Sequence, residues 1–86
     1  MSDSVRAWLV ERDYAHEDLV TLVYATPDGE RAVTQQRSSK LLVSEGVTAA
    51  IEVEPDRLDP VDPADRERYA DEARRMAEKR EPDEEV

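Results

Sequence analysis

The sequence predicts an α+β fold: a small antiparallel sheet of three to four strands, with a C-terminal helix packed on one face. Three observations predict it. Short segments before residue 54 alternate apolar and polar residues with the period of a strand. A Pro27-Asp28-Gly29 turn separates two of them. Beyond residue 62, a proline-led, heavily charged segment takes up a helical period instead. Eighty-six residues are expected to form one α+β domain over 1–81, with 82–86 a frayed acidic tail.

The first strand is expected over 5–12. Val5, Ala7 and Leu9 fall on one face, and Arg6, Trp8, Val10 and Arg12 on the other. Residues 19–25, LVTLVYA, carry β-branched and aromatic residues to both sides, as a central strand requires. In the turn that follows, Pro27 presets φ and Gly29 supplies a positive one, which suits a type I turn closed by a G1 bulge. The return strand, 30–37, is polar enough to be an edge. Residues 38–46 leave two alternatives: a short helix capped by Ser38 and ending at Gly46, or a hairpin of 41–43 with 47–53. Residues 47–53 read as a strand in either case. With three prolines, 55–63 is expected to be irregular.

The helix is expected to start at Pro63 behind an Asp62 N-cap and to end near Arg80. Tyr69, Ala70, Ala73, Met76 and Ala77 make its apolar stripe. On the opposite face, Arg68 with Glu72, Asp71 with Arg75 and Arg74 with Glu78 stand four residues apart.

Composition narrows the setting. The chain has no cysteine and no phenylalanine, so neither disulfides nor thiolate-bound metal can reinforce it. Its core must be built mostly from Val, Leu, Ala and Ile, which makes it small or leaves it for a partner to complete. The net charge is −10, shared as −4 over residues 1–53 and −6 over residues 54–86, and arginine outnumbers lysine ten to two. Distributed acid of this kind keeps a protein soluble where salt screens its self-repulsion. A salt-rich cytoplasm is therefore expected, with no targeting segment and no membrane span.

At WLVER, YATPDGERA and RERYADEARRMAEK the chain resembles small haloarchaeal proteins of unknown function. The resemblance covers most of the chain. It implies a free-standing domain adapted to salt, and it carries no catalytic or binding residue.

No residue pattern points to catalysis, a cofactor or a metal. His16, the only histidine, lies among Asp13, Glu17 and Asp18 in an expected surface turn, and a lone histidine makes a poor zinc site. Ser38, Ser39 and Ser44 lack a nucleophile-elbow context. The acids from Glu52 to Asp65 lack the glycine of a calcium loop.

One stretch stands apart. Residues 31–44, RAVTQQRSSKLLVS, contain no acid. Arg31, Val33, Gln35, Arg37 and Lys40 are the candidate interaction surface. Carboxylates are expected to be absent because protein covers this stretch, whether the helix, the acid-rich loop or a second subunit. A non-catalytic protein-interaction module follows, with a homodimer or another protein as partner. The alternative is a nucleic-acid-associated protein using the same cations. It is disfavoured because three cations are few, no aromatic stacks beside them, and phosphate binding weakens in salt.

Overall fold

The computed structural model describes residues 3–14 and 18–86. Its strands are β1 (Val5–Asp13), β2 (Leu19–Ala25), β3 (Arg31–Ser38), β4 (Ala50–Val53) and β5 (Asp59–Pro60). Its helices are α1 (Ser39–Glu45) and α2 (Pro63–Lys79), with a 3-10 turn over Pro55–Arg57. All strand pairs are antiparallel, in the order β4-β1-β2-β3-β5.

Five strands stand where three to four were expected. The fifth comes from the segment expected to be irregular: Asp59 pairs with Ala32 and Pro60 with Arg31. A two-residue strand at a sheet edge tolerates proline, because the missing N–H need not meet a neighbour.

The β2–β3 hairpin follows from its turn. The Gly29 N–H donates to the Thr26 carbonyl at 2.8 Å, and Gly29 has φ +72°. The Asp28 carboxylate accepts from the Thr26 hydroxyl and from the Glu30 N–H, and these bonds lower its pKa. Register then runs without interruption from Ala25↔Ala32 to Leu19↔Ser38.

Cross-strand pairing sorts the apolar residues onto two faces. Val5, Ala7 and Leu9 share a face with Val20, Leu22, Tyr24, Val33, Ile51 and Val53. Trp8 and Ala25 lie on the other. A register shift between Leu9 and Glu11 bends β1 there, as a bulge does. The first face holds the larger core, which Val47 and Leu58 complete.

α2 packs against β1 and β2 on the Trp8 face. Asp62 caps it, accepting from the Ala64 N–H at 3.0 Å, and Pro63 opens it. Ala70 and Ala73 are its buried residues; Tyr69 and Met76 are half-buried and Ala77 is exposed. The bulk at this contact thus belongs to Trp8, and α2 contributes small residues. The expected four-residue ion pairs are replaced by three-residue ones: Asp65–Arg68 at 3.2 Å, Asp71–Arg74 at 4.0 Å and Glu72–Arg75 at 2.9 Å. In each, the acid is N-terminal to the base, the order the helix dipole favours.

Two further expectations are settled or overturned. Residues 38–46 form the helix alternative: the Ser38 side chain accepts from the Leu41 N–H at 3.1 Å, and Gly46 follows at φ +77°. The acidic tail is not frayed. Ala49 N–H donates to the Glu84 carbonyl, Ala50 N–H to Pro82 and Val86 N–H to Val47, at 2.9, 3.0 and 2.8 Å. Pro82 ends the helix, and the chain then turns back along the lead-in to β4. Backbone bonding is indifferent to side-chain charge, which is why acidity alone misreads this segment.

Candidate functional site

The acid-free stretch forms β3 and most of α1. Alternation along β3 puts Arg31, Val33, Gln35 and Arg37 on the face that carries Tyr24, because Val33 pairs with Tyr24 and Gln35 with Leu22. Lys40 stands apart on α1 and is exposed, as is Arg31. Val33, Gln35 and Arg37 are half-buried. The structure therefore brings three of the five candidate residues together and leaves Arg31 and Lys40 at the two ends.

Those three line a cleft of about 460 Å³, with Ile51, Glu52, Val53, Glu54 and Arg57 as its other walls. β3 and β4 are separated by two strands in the sheet order, yet both line it. The sheet must therefore curl over this face. A smaller hollow of about 150 Å³ shares Gln35, Arg37 and Ile51, and adds Tyr24 and the α1 residues Leu41 and Leu42. The Arg37 guanidinium donates to the Gln35 amide oxygen at 3.1 Å. Among the described residues, no carboxylate lies within ion-pair distance of Arg31, Arg37, Lys40 or Arg57. By contrast Arg6, Arg74, Arg75 and Arg80 each have one, and Arg68 has two, Glu11 and Asp65.

No residue from 31 to 44 is fully buried. α2 lies over β1 and β2, and β5 reaches only Arg31 and Ala32. The helix and the acid-rich loop, two of the three covers expected for this stretch, therefore leave most of it open. Sequence reasoning also missed several exposed apolar residues near this end of the sheet. Tyr14, Leu19, Leu41 and Val43 are exposed, Val43 to 88 %. Leu41 and Val43 belong to α1, and Leu19 pairs with Ser38 at its start. A helical reading of 38–46 would have shown an apolar run too short to bury every member.

Tyr24 closes the floor of this face. Burial pushes its pKa up, opposed by the Arg37 and Arg12 charges. The folded chain then holds a proton that the unfolded chain releases near pH 10. Stability from this group is intact below that pH and is lost as pH rises through the folded value. Ultraviolet titration in a Tyr14→Phe, Tyr69→Phe background should show late Tyr24 ionisation coinciding with loss of structure. Ionisation at the ordinary value in a folded chain would place Tyr24 in water.

Among the described residues, no group of three or more His, Asp or Glu side chains could hold a metal ion. His16 lies outside the described residues. Among those described, no helix is long and apolar enough to cross a membrane. No curated protein and no solved structure matches the chain. A family model matches residues 1–86 in full, and the chain belongs to that family, a family of unknown function designated DUF7967.

Proposed function

We propose that the chain is a non-catalytic protein-interaction module of a salt-rich cytoplasm, and that the acid-free stretch of β3 and α1 is its contact surface. One observation carries this reading. The stretch excludes carboxylates as a covered surface would, yet the chain's own elements leave it open. The remaining cover is another protein. Exposed Leu41 and Val43 within it support the same conclusion, since apolar contact survives salt.

The test compares two variants as baits in a native high-salt lysate, read by quantitative mass spectrometry. Thr34→Glu with Gln36→Glu places acid at exposed positions of β3, where the fold should tolerate it. Arg31→Gln with Arg37→Gln and Lys40→Gln removes the cations. A protein recovered by the unaltered chain should be lost by the first variant and kept by the second, because solvated charges contribute little. The nucleic-acid reading expects the reverse, together with loss of RNA or DNA retention in the second variant. That result would replace the proposal.

The salt-rich setting has its own expected result. The described ion pairs join side chains that are each more than a third exposed, and the chain still carries −10. Unscreened repulsion should therefore lower stability in dilute buffer. Melting followed by circular dichroism should rise steadily towards about 1 M KCl, where the screening length is about 3 Å. A melting temperature indifferent to salt would remove the physical basis for a halophilic setting.

A further inference from the structure

We propose that a second copy of this chain adds its β3 to the open edge of β3, antiparallel and about a two-fold axis, so that two sheets become one. This rests on the reading of the acid-free stretch as a contact surface and names its partner.

The edge is open in a definite way. β5 covers Arg31 and Ala32 alone, and among the described residues no other strand pairs with 33–38 on that side. Antiparallel ladders direct the backbone groups of alternate residues to opposite neighbours. The Arg31 carbonyl accepts from the Thr26 N–H, towards β2, whereas the Glu30 carbonyl accepts from the Val61 N–H, towards the β5 side. The β2–β3 register is unbroken, so the even-numbered residues face outward. Thr34 and Gln36 thus present N–H and C=O groups to the edge, the template for strand addition.

Charge selects the occupant. The opposite edge of the sheet, β4, carries Glu52, and the tail already bonds to its lead-in through Ala49 and Ala50. On the other side β5 brings Asp59 against Ala32, but the uncovered part of β3, residues 33–38, has no carboxylate and carries Arg37, so two chains of −10 meet there with least repulsion. The outward parity leaves two axes that fit between β5 and α1, through Gln35 or through Gln36. With the first, Arg37 of one copy faces Val33 of the other; with the second it faces Gln35. Neither axis sets like charges opposite each other, which would destabilise the pair. Either one also extends the cleft face of each sheet into that of its neighbour.

The absence of cysteine makes the test clean. Gln35→Cys, Gln36→Cys and Thr34→Cys are prepared singly and oxidised with oxidised glutathione in about 1 M KCl, where charge repulsion is screened. A residue on the axis meets its own counterpart within the Cα separation of a disulfide, about 4.4–6.8 Å. Gln35→Cys or Gln36→Cys should therefore cross-link quickly, and Thr34→Cys should not. Sedimentation of the unaltered chain should show a dimer, with Gln36 amide exchange slowing as concentration rises. Gln36→Pro removes an outward N–H that β2 does not use, and should weaken the dimer by about tenfold or more while the melting temperature of the monomer holds. A monomer at every concentration, unchanged Gln36 exchange in a dimer, or equal cross-linking at Thr34→Cys would each overturn the proposal. A monomer whose β3 still recovers another protein from the lysate would overturn this inference alone and leave the interaction reading standing.

Discussion

Trp8→Ala should destabilise the chain by about 3–5 kcal/mol, the range for deleting a buried aromatic. Trp8 is 7 % exposed and clusters with Ala49, Ala50 and Ala73, with Val10, Met76 and Val86 packed against them. Its fully buried neighbours are alanines, too small to fill the space it would vacate. Tyr69→Ala should cost far less, about 1 kcal/mol. Tyr69 is half-buried, and the Arg68 guanidinium lies 5.0 Å from its ring centroid, as at a surface contact. Chemical denaturation of both variants checks the order. Equal losses, or a larger loss at Tyr69, would mean that α2 docks through its own aromatic rather than onto Trp8.

That pair marks how far the sequence could be read. The stripe on α2 was legible, because the helical period and the Asp62-Pro63 start are local signals. Which partner supplied the bulk was not. Tyr69 and Trp8 are both amphipathic aromatics, and only the close approach of Ala73, fully buried, decides between them. The β2–β3 hairpin was legible for the same local reason, through its turn residues. β5 and the tail were not, because each rests on backbone bonds to distant segments, and proline or acidic side chains conceal such bonds from pattern reading. At the candidate site, period-two alternation puts Arg31, Gln35 and Arg37 on one side of the strand, and the β2–β3 register has them there. It could not show that the stretch lies open. Openness depends on where α2 and β5 stop, and that is a property of the packed sheet.

Gly29→Ala should be as damaging as the loss of Trp8, at about 2–5 kcal/mol, although it adds a single methyl group. Two costs combine. Gly29 has φ +72°, and a side chain in that left-handed conformation costs about 1–2 kcal/mol. An added Cβ would also overlap the Arg66 carbonyl oxygen and lie 2.8 Å from the Ala70 nitrogen. Both atoms are helix backbone, so relief requires α2 to move off the hairpin, an overpacking cost of about 1–3 kcal/mol. Gly46→Ala provides the control. At φ +77° and ψ 177° it occupies a region that only glycine readily adopts, so an alanine there costs about 1–3 kcal/mol, but the group in the way is the carboxylate end of Glu85, which can swing aside. Strain alone should therefore set its loss, below that of Gly29→Ala. Denaturation of the two variants separates backbone strain from the clash. If they lose equally, the hairpin turn does not press on α2, and the contact that seats the helix across the sheet is looser than its geometry implies.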